Sequence, residues 1–181
     1  MRKMLLLALL IAATCASTAH AMGFGITVEG GPSWPVLQDD QGNGAVWGAR
    51  VPVNLVPLLT LEPFFVGGSY HDKTIQTLAG PQTRNGGTTR SWGLNLALAN
   101  PTAKFSFFPY AGIGSSTVSR ASFADVTNTS YDFGLGLGIG LHENLSLGVR
   151  GEMQMIVNGD VSRKFGNLTF GLTYHFLNAP Y

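Results

Sequence analysis

The chain has 181 residues, of which 11 are Lys or Arg, 10 are Asp or Glu and one is Cys. A charged fraction of 12% is about half the ~25% usual for soluble domains, and so even a balance of charge excludes the basic field that nucleic acid requires. A single cysteine excludes an internal disulfide framework and a thiolate metal cluster.

Residues 1–21 read MRKMLLLALLIAATCASTAHA. Arg2 and Lys3 precede an apolar run from Met4 to Ala13, and Ala19-His20-Ala21 offers a small-residue cleavage pattern, so this is a secretory signal expected to be removed after Ala21. The run is shorter than the about 20 residues of a spanning helix. Cys15 follows Thr14, where a lipoprotein signal wants Gly, Ala or Ser, so lipidation is not expected. Residues 22–181 then form one domain, with nine basic residues against ten acidic ones once Arg2 and Lys3 are removed. No later apolar stretch is long enough for a spanning helix. The shortage of charge is explained if alternate residues of β-strands face lipid.

Eight segments alternate with period two. The first, 23–31, sets Phe24, Ile26 and Val28 against Thr27 and Glu29. After a polar stretch, 35–44, the second (45–53) sets Ala45, Trp47, Ala49, Val51 and Val53 against Gly48 and Arg50. A short link leads to the third, 58–70, with Leu59, Leu61 and Phe65 opposite Thr60, Glu62 and Phe64. A long polar connection, 71–88, precedes the fourth (89–99), where Trp92, Leu94, Leu96 and Leu98 oppose Gly93, Asn95 and Ala97. A short turn at 100–102 leads to the fifth, 104–115, which is apolar on both faces. Pointing Phe105, Phe107, Ala111 and Ile113 one way puts Ser106, Phe108, Tyr110 and Gly112 the other, and the reverse assignment stays open.

A stretch at 116–129 leads to the sixth segment, YDFGLGLGIGL, where Tyr131, Phe133, Leu135, Leu137, Ile139 and Leu141 alternate with Asp132 and four glycines. A tight turn at 142–144 opens the seventh, 145–156, with Leu147, Val149, Met153 and Met155 against Gly148, Arg150, Glu152 and Gln154. After a connection at 157–166, the eighth (167–176) sets Leu168, Phe170, Leu172, Tyr174 and Phe176 against Thr169, Gly171, Thr173 and His175. Connections thus alternate long and short. That rhythm predicts an all-β fold, an eight-stranded antiparallel transmembrane up-and-down β-barrel with short turns at one face and longer loops at the other. Strands of about ten residues tilted near 45° span roughly 23 Å, close to the ~25 Å apolar band of an outer membrane.

The aromatic residues divide by height. Trp34, Trp47, Trp92 and Tyr131 fall toward the long-loop side, while Tyr174 and Phe176 fall at the opposite rim, as two interfacial girdles require. The other face points into a lumen that eight strands leave only wide enough for side chains. Counting back through 116–129 sets Phe108 and Tyr110 roughly opposite Leu137 and Leu135, so that aromatic rings cover Gly134, Gly136 and Gly138. The inward set also carries Glu29, Arg50, Glu62, Asp132, Arg150 and Glu152, expected to form a lumen ion network because buried charge must be paired. Arg50 and Glu62, equidistant from Val56, are expected to pair directly across the short turn. The alternative is a constriction that passes water or small ions.

Catalytic and ligand signals are absent. GLGLGIG contains G-x-G, but its strict period two and the lack of a following helix exclude a dinucleotide turn. His71, His142 and His175 have no Ser two places on, and no nucleophile and base stand at usable spacing. No metal site and no cofactor are expected.

The stretches LTLEPFFVGGSY, FPYAGIG, FGLGLGIGL and NLTFGLTYHF resemble the small eight-stranded outer-membrane barrels of Gram-negative bacteria, of the OmpA transmembrane-domain, OmpX and OmpW type. The likeness spans the whole of 22–181. It implies a bacterial outer-membrane location among outer-membrane lipid and lipopolysaccharide. It also implies insertion by the barrel assembly machinery through a C-terminal signal made of Phe170, Leu172, Tyr174 and Phe176. In this sequence Leu177 to Tyr181 follow that signal, a departure from a terminal phenylalanine. A structural or surface-interaction role as a monomer is expected, with a narrow pore as the alternative and a lipid-modifying enzyme behind both.

Overall fold

The structure, a computed structural model, describes residues 23–36, 41–56, 58–99, 104–120, 124–159 and 161–177. The expected signal segment, 1–21, lies outside them. Among the described residues eleven strands follow one another: β1 (Phe24–Pro35), β2 (Gly44–Arg50), β3 (Val53–Val56), β4 (Leu59–Tyr70), β5 (Lys73–Thr77), β6 (Gly80–Arg84), β7 (Gly87–Ala97), β8 (Phe105–Ser119), β9 (Val126–His142), β10 (Leu145–Asn158) and β11 (Val161–Leu177). Successive barrel strands pair antiparallel, and β11 returns to pair with β1 from Phe24↔Leu177 to Pro35↔Phe165, which closes the sheet. β2 and β3 are two parts of one barrel strand, so the closed sheet is an eight-stranded up-and-down barrel. Closure leaves no lateral edge whose backbone groups would face lipid unpaired.

The second strand differs from its expected unbroken span. It is interrupted at Val51-Pro52, where Pro52 has no N–H to give to the ladder. Hydrogen bonds bridge the break: Val51 N donates to Pro63 O at 2.9 Å, Gly25 N to Pro52 O at 3.0 Å and Asn54 N to Gly23 O at 2.8 Å.

The face assignments follow the alternation. Phe24, Ile26, Trp47, Phe65, Trp92, Leu94, Phe105, Phe107, Phe133, Leu135, Leu137, Phe170 and Leu172 lie exposed on the outer wall, while Thr27, Glu29, Arg50, Glu62, Asn95, Tyr110, Asp132 and Arg150 are buried inside. The fifth segment falls with Phe108 and Tyr110 inward. Their register is one residue from the expected one: Phe108 pairs with Gly136 and Tyr110 with Gly134, not with Leu137 and Leu135. Paired residues share a face, so on β9 both inward rings lie directly beside a glycine.

The strands outrun the membrane on one side. β9 and β11 have 17 residues each, about 40 Å in height at 45° tilt, against an apolar band of ~25 Å. Two expected long connections are therefore mostly strand. β8 and β9 stay paired up to Val118↔Val126, and β10 and β11 up to Asn158↔Val161. At the second of these, Gly159, directly after the last paired residue Asn158, takes φ 56°, a left-handed conformation that glycine adopts without a steric penalty. The 71–88 connection is likewise not plain loop. It holds the β5–β6 hairpin, turned at Leu78-Ala79 with Gly80 at φ 109°.

Candidate functional site

Within the lumen, β1, β2, β4 and β10 each contribute charge at one level. Arg50 Nε donates to Glu29 Oε1 at 2.6 Å and its Nη2 to Glu152 Oε2 at 2.9 Å. Arg150 grips Glu62 with two hydrogen bonds, Nη1 to Oε2 at 2.8 Å and Nη2 to Oε1 at 2.7 Å. This fork-on-fork geometry suits guanidinium and carboxylate. Arg150 Nε lies 4.0 Å from Glu29 Oε2, which links the two groups into one chain, Glu62–Arg150–Glu29–Arg50–Glu152. Tyr110 Oη donates to Glu152 at 3.1 Å, Asn167 Nδ2 to Glu152 at 3.1 Å and Thr169 Oγ1 to Glu29 at 3.3 Å. Both guanidinium groups also lie over aromatic faces: Arg50 over Phe64 (5.4 Å) and Tyr110 (5.8 Å), Arg150 over Phe108 (5.0 Å) and Tyr110 (5.1 Å).

Arg50 and Glu62 are not the direct pair that counting from Val56 suggests. The turn centres one residue later, so Arg50 pairs in register with Phe64 and Val53 with Leu61, and Glu62 turns to Arg150 across the bore. Asp132 is buried with the others and has a side-chain hydrogen bond with Gln154, its neighbour on β10. Sequence reading missed Phe64, Tyr110, Asn167 and Thr169 as members of the network. All four occupy inward positions of their strands, so parity was the available signal.

The glycines of β9 make room for this packing. A Cβ on Gly136 would enter the Phe108 ring, one on Gly134 would meet Tyr110 Oη at 2.7 Å, and one on Gly138 would meet Ser106 Oγ at 2.6 Å. Outside, the same device recurs. Trp47 lies against Gly67 and Trp34 against Gly166, each opposite its glycine in register. Trp92 and Tyr131 are exposed on the outer wall on the same half of the barrel, and Tyr174 and Phe176 at the other rim meet edge to face with ring centroids 5.1 Å apart. Phe170 and Leu172 continue the outer face of β11.

The two ends of the lumen differ. Toward the long-strand end, Tyr70, Ile156 and Phe165 pack together with Val118. Below the network lies a cavity of about 350 Å³ that opens at the short-turn end and reaches Glu29, Glu62, Phe108 and Arg150. Its wall includes Gly138, Gly140, Gly148 and Gly171, and near its mouth Ser146 Oγ and His175 Nε2 are 3.0 Å apart. Among the described residues, no group of His, Cys, Asp and Glu could hold a metal ion.

Among solved structures, the chain is similar to Neisserial surface protein A, with a TM-score of 0.67 at 11% identity, covering 83% of this chain and 96% of that one. The N-terminal β-barrel domain of Pseudomonas aeruginosa OprF matches with a TM-score of 0.57 at 15% identity, covering 85% and 97%. A major outer membrane protein from Thermus thermophilus matches with a TM-score of 0.53 at 13% identity, covering 87% and 100%. These likenesses are of fold. No curated protein sequence matches the chain. The family described as outer membrane protein beta-barrel domain matches residues 4–176, nearly the whole length, and the chain belongs to that family.

Proposed function

We propose that this protein is a non-enzymatic outer-membrane barrel with a structural or surface-interaction role and a lumen closed by side chains. The observation that carries the reading is the chain Glu62–Arg150–Glu29–Arg50–Glu152, in which every charged group has a partner within 4.0 Å. At eight strands the bore has room for little else. The strand extensions beyond the apolar band and the β5–β6 hairpin, with Leu78 fully exposed, support a role at the surface. Against enzyme chemistry stands the setting of Ser146 and His175. The His175 ring bonds Ser146 and its backbone bonds Asn144, with no carboxylate among the described residues to orient it as a base. The reading includes removal of the signal after Ala21, insertion by the assembly machinery through the β11 outer face, a monomer in outer-membrane lipid and lipopolysaccharide, and the short-turn end in the periplasm.

A narrow pore for water or small solutes is the second reading, favoured by the cavity that already penetrates to the network. Planar-bilayer recording of the refolded protein tests both. Absence of discrete conductance steps is the expected result, and regular small steps that change in Arg50→Ala would replace the first reading by the second.

A further inference from the structure

A second cavity, of about 190 Å³, lies at the long-strand end and shares no lining residue with the cavity at the short-turn end. It begins where the packing of Tyr70, Ile156 and Phe165 ends, since Val118 belongs to both. Its wall is built from inward positions of four strands. Arg163 of β11 stands opposite the buried Ile156, Asn128 of β9 opposite the buried Ser116, and Val126 opposite Val118. Arg120, directly after β8, and Asn158, the last residue of β10, complete the polar part of the wall. Arg120 is held in place: its Nη2 donates to Oε1 of Gln41 at 3.0 Å, and its stem lies against Gly87, where a Cβ would meet Arg120 Cγ at 3.0 Å. Gln41 is 1% exposed, and its Nε2 has no hydrogen-bond partner, so a buried donor is left over beside Arg120.

We propose that Arg120 and Arg163 form a binding site for an oxyanion, the phosphate or sulfate group of a sugar, at the long-strand mouth of the lumen. The sign of the wall selects the charge. Arg50 and Arg150, deeper in the bore, each meet carboxylates from neighbouring strands, whereas the described residues lining this cavity include two arginines and no Asp or Glu. Both guanidinium groups are partly buried and also engaged within the protein, so they are positioned before any ligand arrives. Each offers five N–H donors in a planar fork, more than one internal contact uses, and that fork matches phosphate and sulfate oxygens. The rest of the wall selects what carries the anion. The volume exceeds that of a bare oxyanion and leaves room for one sugar ring. The side-chain amides of Asn128 and Asn158 both donate and accept, as ring hydroxyls require, and Val118 and Val126 offer an apolar surface to the ring face. With this end at the cell surface, as the proposed function has it, the sugar comes from the membrane's own lipopolysaccharide or from a glycan outside. The chemistry of the site is the same in either case.

The test is an NMR titration of the refolded, isotope-labelled barrel in phosphatidylcholine nanodiscs with glucose phosphate and glucose sulfate, and with glucose as the neutral comparison. Saturable shifts are expected at the Arg120 and Arg163 Nε–H signals and at the Asn128 side-chain amide, with no shift at the Gly140 backbone amide in the other cavity and none with glucose. Arg163→Gln, checked for folding by heat-modifiability, should weaken binding about tenfold, as loss of a charge-assisted hydrogen bond does. Should that variant fail to fold, Val126→Glu adds a carboxylate to the wall without removing an arginine and should abolish the response. Absence of shifts with both anions, equal shifts with glucose, or a response reproduced by sodium chloride at equal ionic strength would overturn the proposal. In nanodiscs doped with lipopolysaccharide, a displaced titration supports the site with the membrane's own lipid as the source, and an unchanged one supports it with an outside glycan. Proteolysis of intact cells tests separately which end faces outward, so a failed orientation is not mistaken for a failed site.

Discussion

Removing the Arg150 guanidinium should expose how much of this barrel's stability lies in the lumen. Arg150→Met keeps much of the apolar stem but leaves the Glu62 carboxylate, almost wholly enclosed, without the two bonds of 2.8 and 2.7 Å that now hold it. Breaking one partner of a buried pair costs about 3–5 kcal/mol, because the remaining charge is stranded. Arg150 also lies over Phe108 and Tyr110 at 5.0 and 5.1 Å, and a desolvated contact of this kind is worth about 1–2 kcal/mol. Glu62→Gln keeps an acceptor for one N–H and leaves both ring contacts, so it should cost less, about 1–3 kcal/mol. The double variant Glu62→Gln/Arg150→Met strands no carboxylate and should recover a large part of the Arg150→Met loss. Urea unfolding of protein inserted in lipid vesicles, followed by tryptophan fluorescence and the unboiled gel band, measures this. With a slope near ~2 kcal/mol per M the midpoint of Arg150→Met falls by roughly 2 M. A loss below about 1 kcal/mol, or a double variant no more stable than Arg150→Met, would refute the idea that a dry, coupled ion pair holds the lumen.

Four further outcomes follow from the structure, and the same unfolding assay reads each. Gly136→Val drives side-chain atoms into the Phe108 ring and should cost at least the about 1–3 kcal/mol of an overpacked core, with relief in a Phe108→Ala background. Gly140→Ala, whose Cβ would meet nothing closer than 3.8 Å, should be nearly neutral. Gly159→Ala forces a Cβ into a left-handed turn at φ 56° and should cost about 1–2 kcal/mol. Leu137→Arg, on the lipid face of β9, should cost about 2–4 kcal/mol if Leu137 lies near the bilayer midplane, and less if the apolar band is displaced.

Period two was legible throughout because it is a local property: each side chain's face depends only on its parity within a strand. That is why Trp47, Leu94 and Phe133 could be sent outward and Glu62, Asn95 and Arg150 inward from the chain alone. The glycine run of β9 was readable in the same way, as a surface that needed an inward neighbour. Strand ends were less readable. The residues at 116–129 and 157–166 look polar, as loops do, but strands that emerge into water are polar too. Gly159, the left-handed residue that follows the last paired position of β10, lies inside a stretch otherwise taken as loop.

The sequence by itself determined the strand number, the two faces, the closed antiparallel order and the set of residues that share the interior, since alternation and connection length carry that information. Only the tertiary structure decided who meets whom inside. Moving the β3–β4 turn centre from Val56 by one residue shifts the register by two, which takes Phe64 opposite Arg50 and frees Glu62 for Arg150. Partners across the bore, such as Glu62 with Arg150 or Arg50 with Glu152, sit on strands that are not neighbours in the sheet. Their meeting depends on how closure staggers all eight strands, and stagger is a sum over every turn in the chain that no single stretch of sequence contains.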